Sequence, residues 1–191
     1  MLDGLKAINW SLLQQAHGGA EHIPAAIKGL ISPDEATREK AYWQIDNHVV
    51  LQSDVYEAAF YVTPFLIEIL TSPVSVGREH VYDLLDEIAN GHAGAESFVS
   101  VDEVKTPLAI ACRSLILEYH TVYLDEIMDK QSSFRVNALE FVCTLSEKLE
   151  EVQSVFSELV VYENDQEVKL LMLEFLSSQD SELNDPDYKS R

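Results

Sequence analysis

Four cations, Arg38, Arg78, Arg135 and Lys169, hold equivalent places in a pattern that recurs along the chain, and this recurrence constrains the fold more than any other feature. Three residues after them stand Ala41, Val81, Ala138 and Met172; four after stand Tyr42, Tyr82, Leu139 and Leu173; seven after stand Ile45, Leu85, Val142 and Leu176. Eight before stand Leu30, Leu70, Ile127 and Val161, and fourteen before the first two stand Pro24 and Pro64. Offsets of three, four and seven lie on one helical face. A unit of two helices and a turn therefore recurs at anchor spacings of 40, 57 and 34 residues, the long spacing containing a Gly-, Ser- and Val-rich insertion around residues 91 to 105.

Helical spacing dominates elsewhere too. Leu5, Ile8, Leu12 and Ala16 fit one face, as do Ala41, Ile45, His48 and Val49, and then Val81, Leu84, Leu85 and Ile88. No strand-like alternation of useful length competes. Breakers at Gly18 and Gly19, Ser32 and Pro33, Ser72 and Pro73, Asn90 to Gly94, Lys130 to Ser133, and Asn164 and Asp165 separate segments of one helix each. The closing SSQDSELNDPDYKSR loses apolar periodicity and reads as disordered. The expected organisation is a single domain over residues 1–178 with an inserted loop near 91–105, then a flexible acidic tail at 179–191.

In YEAAFYVTPFLIEIL, residues 56 to 70, only Glu57 and Glu68 are charged. On a helical wheel Glu57, Tyr61, Pro64 and Glu68 cluster within about 60°, leaving an apolar arc of roughly 220°. Such a helix is sandwiched, with one narrow stripe open; Pro64 either kinks it or starts it afresh. The repeat register aligns Glu68 with Lys28 and Asp125, and Tyr61 with Glu21 and Glu118. The expected partner-binding ladder on the concave face is therefore Glu21, Lys28, Glu57, Tyr61, Glu68, Glu118 and Asp125. Leu159 stands where the fourth repeat should carry an acid, so the ladder ends there.

Charge sets the class of partner. The 191 residues carry 33 acids against 13 bases, a formal charge of −20 that repels phosphate backbones and anionic lipid, so neither nucleic acid nor membrane is an expected partner. Cys112 and Cys143 sit in apolar periodic runs and read as reduced core thiols. The N-terminal MLDGLKAINWSLLQQ lacks the charge and apolar centre of a signal peptide, and no run reaches the roughly 20 apolar residues of a membrane span. A cytoplasmic protein is expected.

The segments AHGGAEHIPAAIKGLIS (16 to 32), NHVVLQSDVYEAAFYVTPFLIEIL (47 to 70) and REHVYDLLDEIANG (78 to 91) are similar to those of bacterial HEAT-like repeat proteins, and the resemblance extends over residues 5 to 178. It implies an all-α fold, a right-handed α-solenoid of HEAT-like helix pairs with about four repeats and about nine helices. Most members of that group are uncharacterised, and some are encoded as immunity proteins beside polymorphic toxins.

Signals for chemistry are weak. HEAT-type di-iron hydroxylases, as the resemblance would imply, use His-Glu dipeptides; this chain has the reverse order, Glu21-His22 and Glu79-His80, which turns the side chains to different azimuths. HEAT-like DNA glycosylases need a basic groove, whereas an acidic one is expected here. There is no G-x-S-x-G elbow, and the glycine pairs suit helix-ending turns rather than phosphate cradles. His48, Gln52 and Tyr56 would share a face only if their helix continued, and otherwise bridge the turn. No enzyme, cofactor or metal is expected. The expectation is a non-catalytic interaction module that binds a basic partner protein such as a toxin domain, with a general scaffold or assembly subunit as the alternative. Phe98 in the insertion is expected to be exposed and within reach of a partner. The last helix, VKLLMLEFL, is apolar on most sides and is expected to support a weak homodimer.

Overall fold

Asp34 starts the first long helix of the molecule. Its carboxylate accepts from the hydroxyl and the N–H of Thr37, the latter at 2.9 Å, and these bonds hold it below its usual pKa. In the computed structural model, which describes residues 1–183, the elements in chain order are α1 (Ile23–Gly29), α2 (Glu35–Val49), β1 (Val50–Leu51), β2 (Asp54–Val55), α3 (Glu57–Leu70) and α4 (Arg78–Asn90). Then follow β3 (Phe98–Val101), β4 (Val104–Pro107), α5 (Leu108–Glu118), α6 (His120–Met128), α7 (Arg135–Cys143), α8 (Leu149–Leu159) and α9 (Gln166–Leu183). The chain is mostly helical, 63%, with nine α-helices among the described residues, in keeping with the all-α class.

Two compact units are present, Met1–Val122 and the residues from Tyr123 on. In the first, α3 packs against α1, α2, α4 and α5, which is why so much of it is apolar. Ala58, Ala59, Val62, Phe65, Leu66, Ile67, Ile69 and Leu70 are buried, while Glu57, Tyr61 and Glu68 are half-buried and Pro64 is exposed, the stripe read from the wheel. The helix runs through Pro64 without ending. In the second unit α7 packs on α8 and α9, with Phe156 against Phe175 at 5.3 Å and Tyr123 against Phe141 at 4.9 Å.

The four anchor cations act alike. Arg78 donates to the carbonyls of Leu70 and Ser72, each at 2.8 Å, and of Val74 at 2.8 Å. Arg135 Nε donates to Ile127 O at 2.7 Å, Arg38 Nη1 to Ser32 O at 2.9 Å, and Lys169 Nζ to Glu163 O at 3.5 Å. Helices leave their last carbonyls without intrahelical donors, and these cations reach back to the chain that closes the preceding helix. Gly77, at φ 73°, lets the start of α4 approach the end of α1: a Cβ there would lie 1.9 Å from Leu30 O. Of the apolar positions eight before the anchors, Leu30, Leu70 and Ile127 are buried, but Val161, expected to match them, is 66% exposed.

Several expectations are corrected. Residues 5 to 16 are not an α-helix: two 3-10 turns, Asp3–Ala7 and Trp10–Leu12, give way to extended chain, because the N–H of Leu2 and the N–H and carbonyl of Gln14 bond to α3 rather than along the segment. Strands do occur. β1 and β2 pair antiparallel, with Val50 opposite Val55, and β3 and β4 pair over Phe98–Pro107, so the insertion is a hairpin whose second strand continues past residue 105. Both turns place non-glycine residues in the left-handed region, Gln52 and Ser53, and Asp102 and Glu103, and none of these carries the usual Asn-Gly signal. The segment between Ser133 and Asn164 holds two helices, α7 and α8, with a 3-10 turn at Ser146–Lys148 between them. Helix α9 extends through Leu183, so the expected tail at 179–191 begins as helix; residues 184–191 lie outside the described residues.

Candidate functional site

The ladder residues fall into two kinds. Glu57 and Glu68 are tied to the N-terminal segment: Glu68 Oε1 accepts the N–H of Leu2 at 2.7 Å, and Glu57 Oε2 accepts the N–H of Gln14 at 3.0 Å. Ala58 N–H returns a bond to Gln14 O at 3.0 Å, and Trp10, buried and donating to Leu5 O at 2.8 Å, packs 6.2 Å from Phe65. Tyr61 rests edge-on against Phe60 at 5.5 Å. The segment thus runs along part of the α3 stripe.

Glu21, Lys28 and Glu118, in the first unit, and Asp125, in the second, are exposed instead. Glu21 lies in the turn before α1, Lys28 in α1, Glu118 at the last position of α5 and Asp125 in α6. The side chains of Glu21, Glu118 and Asp125 make no hydrogen bond or ion pair among the described residues. Glu118 and Asp125 belong to separate helices, since Tyr119, at φ −101° and ψ 17°, interrupts the run.

At the N-terminal end of α3 lies a cleft of about 450 Å³. Asp54, Tyr56 and Glu57 form one side, Glu96 and Phe98 of the insertion the other, and buried Leu108 contributes apolar surface. Hydrogen bonds from Leu108 N–H to Ser97 O at 3.0 Å and from Ser97 N–H to Gly94 O at 2.8 Å hold the insertion side. On the Asp54 side, His92 N–H donates to Ser53 O and Val55 N–H to His92 O, each at 2.6 Å. Phe98 is 37% exposed and carries Lys105 Nζ over its ring at 4.1 Å, a cation–π contact. The side chains of Asp54 and Glu96 have no hydrogen bond or ion pair among the described residues.

A second cleft, of about 580 Å³, opens between the end of α2, the β1–β2 hairpin and the end of α4, with Asp46, Asp86 and Glu87 among its lining residues. Glu87 is pushed up to about 7 by desolvation and then by its hydrogen bond to, and repulsion from, Asp46. A hydrogen bond between two carboxyl groups requires one of them to be protonated, and this raises the Glu87 pKa. Tyr42 Oη stands 3.5 Å from Glu87, and burial with the neighbouring acids raises the Tyr42 pKa strongly.

Three histidines gather where the N-terminal segment meets α2. The rings of His22 and His48 are 4.4 Å apart, those of His17 and His48 6.3 Å, and burial followed by the His22 charge lowers the His48 pKa. No group of three or more His, Cys, Asp or Glu side chains among the described residues is arranged to hold a metal ion. His48, Gln52 and Tyr56 share no helical face, because the β1–β2 hairpin intervenes. Burial pushes the thiols of Cys112 and Cys143 up to about 12, so neither is a nucleophile at neutral pH. No helix among the described residues is long and apolar enough to cross a membrane.

Comparison with family models, with curated proteins and with solved structures returned no match. The α3-end cleft and the Asp46–Glu87 pair went unread in sequence, since each joins residues far apart along the chain. The available signal was Asp54, three residues before the helix start at Glu57, and Glu96, two residues before the exposed aromatic Phe98.

Proposed function

We propose that this chain is a non-catalytic protein–protein interaction module whose acidic surface binds a basic partner protein, in its most concrete form an immunity-type inhibitor that docks on a cationic toxin domain. The observation that carries the reading is the set of exposed, unpaired carboxylates, Glu21, Glu118 and Asp125, in a chain of formal charge −20. Free surface acids cost little to keep in water and steer a cationic partner into encounter, raising the association rate by orders of magnitude at low salt. In this reading the helices stack as HEAT-like pairs of a right-handed α-solenoid with about four repeats. The shared reach of Arg38, Arg78, Arg135 and Lys169 toward preceding carbonyls supports that register. The free thiols Cys112 and Cys143 support a cytoplasmic location.

The association rate provides the test. A partner held by the wild type should bind a Glu21→Lys, Glu118→Lys, Asp125→Lys variant at least tenfold more slowly, with unchanged circular dichroism; an unchanged rate overturns the reading. One observation favours a second role as an assembly subunit: Val161, Tyr162, Leu170 and Leu173 are exposed at 66, 76, 56 and 47% around the start of α9. A weak homodimer through this helix would raise the sedimentation coefficient with concentration; a constant monomer value excludes it.

A further inference from the structure

We infer that the cleft at the N-terminal end of α3 is the socket in which an arginine side chain of the basic partner docks, between the Phe98 ring and the carboxylates of Asp54 and Glu96. The inference rests on the acidic-module reading and gives it a place and a recognition chemistry. Three observations converge within the first unit.

The cleft has the composition a guanidinium needs. Asp54, Glu57 and Glu96 line it with no lysine or arginine among its lining residues, and the aromatic faces of Tyr56 and Phe98 and the apolar Leu108 supply surface for an alkyl stem. Arginine combines a planar fork of donors for carboxylates with a weakly hydrated face that stacks on rings, whereas lysine presents a more strongly hydrated point charge. The acids also differ in availability. Glu57 is committed to Gln14 N–H, but the carboxylates of Asp54 and Glu96 make no hydrogen bond or ion pair among the described residues. Finally, the ring already accepts a cation: Lys105, from the paired strand of the same hairpin, holds Nζ 4.1 Å from the Phe98 centroid. That contact is an intramolecular stand-in for the partner's cation and competes with it. The hairpin geometry keeps the socket open, because bonds from β2 to His92 and from Leu108 to Ser97 fix both sides through main chain.

The test uses a fluorescein-labelled nonapeptide alternating arginine and glycine, with its lysine counterpart and its uncharged citrulline counterpart, measured by anisotropy at low and at physiological salt. The wild type should bind the arginine peptide at least tenfold more tightly than the citrulline peptide, and more tightly than the lysine peptide. Phe98→Ala, and separately Asp54→Asn with Glu96→Gln, should each weaken arginine-peptide binding at least fivefold. Glu35→Gln with Glu39→Gln, an equal change of charge on the exposed face of α2, should alter it less than twofold. Lys105→Met, which vacates the ring, should tighten binding more than the equal charge change Lys40→Met. Wild-type affinity in both socket variants, with weakening in Glu21→Gln with Glu118→Gln, overturns the socket and leaves the acidic-module reading standing. Failure of the wild type to bind the arginine peptide at low salt overturns both.

Discussion

The main-chain N–H of Leu2 donates to Oε1 of Glu68 at 2.7 Å across 66 residues of sequence. With the Gln14–Glu57 bond it gives the two acids of an otherwise apolar helix a structural role, since they receive N–H groups of a segment that has no α-helix of its own. Glu68→Ala leaves the part-buried Leu2 N–H unpaired and should destabilise the first unit by about 1–2 kcal/mol, with a smaller effect for Glu57→Ala, whose donor is exposed. Urea unfolding, with hydrogen exchange at residues 2 to 14, checks this; Glu21→Ala should stay within about 0.5 kcal/mol.

Arg135 and Glu163 form a buried pair in the second unit, at 6% and 5% exposure. Glu163 also accepts the N–H groups of Asn164 and Asp165 at 2.9 and 2.8 Å, and the bond from Arg135 is the largest cause holding its pKa at about 2. Removing one member leaves a buried charge alone, so Glu163→Ala should cost on the order of 3 kcal/mol in chemical denaturation. Because this pKa lies below the ordinary carboxylate value of 4.5, the contribution is present above pH 4.5 and is lost as pH falls toward about 2. An acid titration followed by circular dichroism should show that loss in the wild type and a flatter profile in the variant.

Glu87 carries the opposite sign. Its folded pKa of about 7 exceeds 4.5, so the folded chain holds a proton that the unfolded chain has released. The associated stability is full below pH 4.5, declines as pH rises, and is gone above about 7. Glu87 is exposed enough for solvent screening to reduce the amplitude. Glu87→Gln, which stays neutral, should be more stable than the wild type above pH 7, and the difference should vanish toward pH 4.5; melting temperatures across that window decide it.

What was readable in sequence follows from range. Periodicity is local, so the α3 stripe and the burial of Ala41, Val81, Ala138 and Met172 were legible from spacing alone. The anchor cations were visible as a register, although their bonds to preceding carbonyls were not. Leu5, Ile8, Leu12 and Ala16 have helical spacing, yet tertiary bonds to Glu57 and Glu68 and the burial of Trp10 override it. The hairpins were hidden because Gln52-Ser53 and Asp102-Glu103 adopt left-handed backbone without glycine or asparagine to announce it. The α3-end cleft was hidden because its walls come from separate segments, Asp54 to Glu57 and Gly94 to Phe98, and the bridge from His92 to Asp54 is a tertiary pairing.

The central claim, an acidic surface that binds a basic protein, is tested most directly by affinity capture from the native cell lysate, using the wild type beside the Glu21→Lys, Glu118→Lys, Asp125→Lys variant. A basic polypeptide should be held by the wild type, released by moderate salt and absent from the variant. Equal capture of that polypeptide by both proteins, or a bound protein without basic character, would contradict it.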